Sequence, residues 1–215
     1  MKHNTRPTSS AGFSLLELSI AMAVLAILAG GILKGRELIA SAKVQSVITD
    51  LASLETAMVG FQSRYGALPG DFPAADAAGL GTTGGDGNGR IEGTEEEGHV
   101  FTQLQKAGFI QGDYSPPATA DASCGPSSCM ASRLGGVMVI SSTLEGPSTP
   151  EGAAVVLFAD QGPVRQLAEI DRKLDDGNPL KGSVQVLNAD VAACTSNGFW
   201  NEKADVQCGA LYVLR

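Results

Sequence analysis

Apolar and polar positions divide the chain into a front run, a long periodic stretch and a mixed remainder. Residues 13–33, FSLLELSIAMAVLAILAGGIL, carry a single charge, Glu17. At 1.5 Å per residue this run is long enough, as a helix, to cross a hydrocarbon core of about 30 Å. Behind it Leu38, Val44, Val47, Ile48, Leu51, Leu54, Met58, Phe61 and Tyr65 recur mostly at three- and four-residue steps, with Gln45, Asp50, Glu55 and Gln62 between them. That spacing predicts an amphipathic helix continuing the first. Gly66 suits a helix stop and Leu68-Pro69-Gly70 a turn, so one helix is expected from Phe13 to about Tyr65. Gly30, Gly31 and Gly35 lower helix propensity by about 1 kcal/mol each, which places an expected bend or melting site among them.

Residues 66–98 are rich in glycine, alanine and acid and read as a long surface loop. Thr94 to Glu97 has capping-box spacing and opens an expected short helix, His99 to Ala107, with Val100, Phe101, Leu104 and Ala107 buried, His99 at the surface and Gly108 as its stop. Further on, Gly136 to Ser142 and Ala153 to Ala159 read as valine-rich strands. Pro163 suits the first turn of a helix carrying Val164, Leu167, Ile170 and Leu174. Asp171, Lys173, Asp175 and Asp176 are taken as its solvated end in preference to a cation site, and Ser183 to Leu187 and Gly209 to Leu214 as further strands. The expected fold class is α+β, a long N-terminal α-helix laid across an antiparallel sheet.

Composition supports one anchored domain. The 215 residues are 43% apolar and 18% charged, too hydrophobic for disorder. Of 15 basic and 23 acidic residues, Lys2 and Arg6 fall in the first twelve positions with no acid, so residues 13–215 carry 13 − 23 = −10. Such an excess disfavours direct nucleic-acid binding, which needs clustered cations. The four cysteines, Cys124, Cys129, Cys194 and Cys208, all lie far beyond the apolar run. They suggest two disulfides in an oxidising compartment, and of the three possible pairings the sequence-local one is favoured. A four-thiolate zinc site is the rival, against which stand the thirteen residues between Cys194 and Cys208.

Candidate chemistry in the loop is weak. Gly79, Gly81 and Gly84 satisfy GxGxxG without the strand and helix that a dinucleotide site requires. Asp86, Asn88 and Glu92, with Glu97 eleven residues after Asp86, echo a calcium loop, although Arg90 and Ile91 stand where an oxygen ligand and a glycine hinge belong. No nucleophile, base and orienter set is visible, and His99 is the one histidine after residue 12. Neither an enzyme nor a cofactor is expected.

Glu17 remains to be explained. A carboxylate in a spanning helix costs about 2.5 to 3.5 kcal/mol at the centre, and less near the edge, so it calls for a partner or a neutral state. No cation of the same segment serves, but a cut between Gly12 and Phe13 would create an α-amino group four residues before Glu17. A secretory signal peptide is the plainer alternative, and Ala29-Gly30-Gly31 is a poor version of its cleavage site. The charges flanking the run leave orientation open; the cysteines favour a C-terminal domain outside the cytoplasm.

Gly12-Phe13-Ser14-Leu15-Leu16-Glu17-Leu18 ahead of an apolar helix resembles the N-terminal signature of type IV prepilins and type II secretion pseudopilins. The resemblance covers about the first 35 residues. It extends more weakly to about residue 114 through Leu68 to Pro73, Gly85 to Gly89 and Ala107 to Ile110. It implies a leader 1–12 removed by a prepilin peptidase, N-methylation of Phe13, a transmembrane and assembly helix 13–34, an amphipathic continuation 35–65 and an extracytoplasmic head 66–215. It further implies that Glu17 neutralises the N-terminal amine of an adjacent subunit. The expected partners are other pilins in a helical filament and an inner-membrane assembly platform. The expected location is the bacterial inner membrane, then an extracellular pilus or a periplasmic pseudopilus. The Asp171 to Asp176 segment and the Cys194 to Cys208 region likewise resemble an acidic loop and a disulfide-bounded loop of pilin-like proteins.

Overall fold

A computed structural model of the chain describes residues 14–116, 124–203 and 205–214. Helix α1 runs from Leu15 to Tyr65, and the chain separates into two compact units at Ala40 and Ser41.

In the first unit the described residues form the front of α1. Ser14 opens it, its hydroxyl oxygen accepting the Leu16 N–H at 3.3 Å, as an N-cap serine does. The apolar side chains that follow are solvent-facing, with Leu15 88% and Ile27 75% exposed. Helical structure continues through Gly30, Gly31 and Gly35, so the melting site expected there is not present. Gly30 and Gly31 lie between Ala29 and Ile32, and Gly35 between Lys34 and Arg36, residues whose own helix propensity offsets a modest loss at the glycines.

In the second unit the remainder of α1 drives Val44, Val47, Leu51, Leu54, Ala57, Met58 and Phe61 into one core. Burial starts at Val44; Leu38, expected on this face, is 65% exposed. The helix stops at Gly66, whose φ of 75° a side chain would resist while its N–H reaches the Gln62 carbonyl at 2.8 Å.

Two short turns follow, α2 at Ala74–Ala77 and a 3-10 turn at Ala78–Leu80. Helix α3 spans Gly93–Lys106, beginning six residues before the expected His99. The cap also differs from the expected box: Glu92 is the N-cap, and the Glu96 carboxylate accepts its N–H at 2.8 Å. At the other end Gly108 N–H meets the Gln105 carbonyl at 3.0 Å and Phe109 N–H the Leu104 carbonyl at 2.9 Å, a Schellman closure.

The sheet is antiparallel in the order β1 (Val139–Ser141), β2 (Val155–Pro163), β6 (Gln207–Val213), β3 (Val184–Val186). Strand β2 lies between β1 and β6, pairing Ile140 with Val156 and Leu157 with Leu211, with register shifts on either side of Ala159. Helix α4, Val164–Leu174, follows directly, Pro163 serving as N-cap rather than first helical residue. Its Val164, Leu167 and Ile170 are buried in the same core as the α1 stripe, Ile140, Val156 and Phe158, which makes the fold α+β, with the helix packed on the sheet.

Sequence periodicity did not reveal the segment between β3 and β6. It holds a 3-10 turn at Asn188–Asp190, α5 at Val191–Cys194, and a two-stranded hairpin, β4 (Thr195–Ser196) with β5 (Phe199–Trp200). Asn197 and Gly198 form its tip at φ of 53° and 79°, the left-handed pair that tight hairpins favour. Cys194 is joined to Cys208, and Cys124 to Cys129.

Candidate functional site

Three places concentrate chemistry. The first is the exposed start of α1. Glu17 sits in its first turn, where the helix dipole favours an anion. No described cation pairs with it, and the next basic residue along the helix, Lys34, is engaged with Glu37. Around it none of the most apolar stretch is buried. A carboxylate in such surroundings is suited to meeting a cation brought by another molecule. Gly12 and Phe13, the expected cleavage and methylation positions, lie outside the described residues.

The second is the loop before α3. Asp71 is buried, and its carboxylate accepts the N–H groups of Gly87 at 2.7 Å, Asn88 at 3.0 Å and Gly89 at 2.7 Å. Consecutive backbone donors around one anion form a nest, here occupied by the chain's own side chain. Glu96 accepts Asp86 N–H at 3.1 Å as well as Glu92 N–H, and burial, followed by the nearby Asp71 and Asp86 charges, raises its pKa against those hydrogen bonds. Carboxylate oxygens of Asp71, Asp86 and Glu96 lie within 4.8 Å of one another. Of the calcium candidates only Asp86 joins this group. Asn88 donates its amide to Asp86 at 3.0 Å and accepts Arg90 N–H at 2.8 Å, while Glu92 pairs with Arg90 at 2.6 Å. The loop is therefore tied by its own hydrogen bonds, with Asp71 at the centre. The sequence signal for Asp71 was its place in LPGDFP; Glu96 carried none.

The third is the end of α4. Asp171, expected in solvent, is fully buried. It lies on the face that Leu167 and Ile170 bury, and the chain turns back over it. Trp200 on β5 donates its indole N–H to Oδ2 at 2.7 Å, and Gly177 its backbone N–H to Oδ1 at 3.2 Å. Asp175 accepts Ser183 N–H and, at 3.3 Å, Val184 N–H; Asp176 accepts Asn178 N–H at 2.8 Å. Burial raises the Asp171 pKa to about 6; the two hydrogen bonds oppose the rise and the Asp175 and Asp176 charges add to it. Trp200, which the sequence did not single out, is the chain's one tryptophan.

His99, expected at the surface, is also buried. Its ring nitrogens meet the Thr83 hydroxyl and the Glu95 carbonyl, so it is spent on joining α3 to the loop. The second and third sites hold the fold together; the Glu17 carboxylate of the first is in no ion pair among the described residues.

Residues 7–33 match the family model described as the prokaryotic N-terminal methylation motif, the prepilin-type signature of type IV pilins and pseudopilins. No curated protein and no solved structure matches the chain. The match is confined to residues 7–33, and the apolar helix that follows Ser14 is what such a signature leads into.

Proposed function

We propose that the chain is a structural subunit of a type IV pilus, cut after Gly12, N-methylated on Phe13 and polymerised through the front half of α1. The observation that carries this reading is the methylation motif over residues 7–33, which spans an apolar run whose one acid, Glu17, is in no ion pair among the described residues. In the bilayer lipid solvates that surface. In a fibre the same side chains pack helix against helix in a heterologous, non-closing array. Cleavage frees the Phe13 ammonium, and in the assembled state the Glu17 carboxylate of an adjoining copy neutralises it. Each charge then offsets the other's desolvation, which neither could bear alone in an apolar bundle.

On this reading residues 1–12 are the leader, 13–34 the membrane and assembly segment, 35–65 the amphipathic continuation and 66–215 the extracytoplasmic head. A prepilin peptidase and an inner-membrane platform are the required partners. The disulfides Cys124–Cys129 and Cys194–Cys208 are in keeping with a head outside the cytoplasm. A type II secretion pseudopilin carries the same motif and is the second reading.

Intact mass with N-terminal sequencing tests the processing: loss of residues 1–12 and a methyl group on Phe13 is expected. An uncut N-terminus on monomeric protein in its native envelope overturns the reading. Shearing cells and probing the released fibres separates a surface pilus from a periplasmic pseudopilus. Glu17→Val is expected to insert in the membrane and fail to assemble when it is the only copy; normal fibre yield from that variant refutes the pairing.

A further inference from the structure

We propose that Asp171 and Trp200 form a proton-sensitive latch holding the β4–β5 hairpin on the end of α4, closed while the carboxyl is protonated and loosened when it ionises. The geometry joins two elements through one buried group. Asp171 lies in the last turn of a helix whose other core residues are aliphatic, and its oxygens meet the Trp200 indole at 2.7 Å and Gly177 N–H at 3.2 Å, neither of them a cation. Trp200 is itself 6% exposed, while Phe199 beside it is 65% exposed, so the hairpin is seated through the indole.

No described cation is bonded to this carboxylate from any side. On α4, Lys173 pairs with Glu169, and Arg172 with Glu202 beyond β5, whose carbonyl also receives Arg165. The following loop brings Asp175 and Asp176, whose oxygens lie within 4.8 Å, and Lys181, which is exposed. Strands β3 and β5 carry no ionisable side chain; β2 brings Asp160, which is exposed, and β6 brings Tyr212, which donates to Glu55, and the bonded Cys208. Ionisation therefore places a charge in a water-poor pocket beside two like charges. Two neutral donors offset only part of that cost. The remaining relief is hydration, and the route to it is displacement of the hairpin. Burial first, and then the Asp175 and Asp176 charges, raise the Asp171 pKa to about 6 against the Trp200 and Gly177 hydrogen bonds, in keeping with this balance.

The sole tryptophan makes the latch observable in the full-length protein in detergent micelles. Acrylamide quenching and the emission maximum of Trp200 are followed across about pH 4 to about pH 8 at constant ionic strength. Quenching is expected to increase with pH, with one midpoint near 6. Asp176→Asn keeps the Asn178 acceptor and removes one neighbouring charge, and is expected to move the midpoint to lower pH. Asp171→Asn is expected to abolish the titration. A pH-independent signal, quenching that decreases as pH rises, a midpoint unmoved by Asp176→Asn, or a titration that survives in Asp171→Asn overturns the proposal.

Discussion

Truncating Phe61 to alanine tests whether the back half of α1 is the spine of the head's core. Phe61 is fully buried at the end of the α1 stripe, with ring centroids of Tyr65 at 4.6 Å, Phe72 at 5.5 Å and Phe109 at 6.1 Å. Burial of the ring and the cavity left behind together set a loss of about 3 to 5 kcal/mol for such a change. The edge-on Phe72 contact and the tilted Tyr65 contact each add about 0.5 to 1.5 kcal/mol beyond area, which places the expectation near the top of that range, about 4 to 5 kcal/mol. The neighbouring Val59, on the same helix and 49% exposed, is the internal control: Val59→Ala should stay within about 0.5 kcal/mol. Urea unfolding of the full chain in mild detergent, followed by far-UV circular dichroism, measures both. A loss below about 1 kcal/mol for Phe61→Ala, or equal losses for the two variants, would refute the assignment of this helix face to the core.

Replacing Cys194 and Cys208 by serine should lower stability by about 3 kcal/mol in the loop-entropy treatment, against about 2 kcal/mol for Cys124 and Cys129, because the closed segments differ in length; urea midpoints of the two double variants should keep that order. Gly85→Ala would put a Cβ 2.7 Å from Asp71 Cα and from the Gly70 carbonyl, backbone atoms that cannot yield, and should cost about 1 to 3 kcal/mol by calorimetry. Stability should increase on acidification from neutral pH. Folding raises the Asp171 pKa from 3.8 to about 6, so its destabilising contribution is absent below the lower value and complete above the higher, at most about 3 kcal/mol. Glu96 and Glu97, both raised by burial, act in the same direction. A Tm that falls from pH 7 to pH 5 would contradict the sign.

The front of the molecule was legible from the chain because its physics is local. An unbroken apolar run needs no tertiary partner to be recognised, and Glu17 within it is conspicuous for the cost it carries in lipid. The α1 stripe and α4 were equally plain because the 3.6-residue period survives in their sequences, and β1, β2 and β6 because short valine- and leucine-rich runs mark buried strands. The hairpin β4–β5 was not: two-residue strands are too short to show alternation, and the hairpin is fixed by the Cys194–Cys208 bond and the Trp200 contact to α4.

Where the expectations failed, polar residues had been assigned to solvent by type. Asp71, Asp171 and His99 are all buried, each because another segment supplies a hydrogen bond: Gly87 to Gly89 for Asp71, Trp200 beside the local Gly177 for Asp171, and Thr83 beside the local Glu95 for His99. The Thr94 cap failed for a related reason, Glu96 reaching back to a donor one residue earlier than the box spacing allowed.

By itself the sequence determined the apolar run, the acid within it and the order of the main elements, all properties that neighbouring residues fix through periodicity and transfer free energy. Only the tertiary structure decided which carboxylates leave water and where the short hairpin sits, because desolvation and hydrogen bonding depend on residues tens of positions apart.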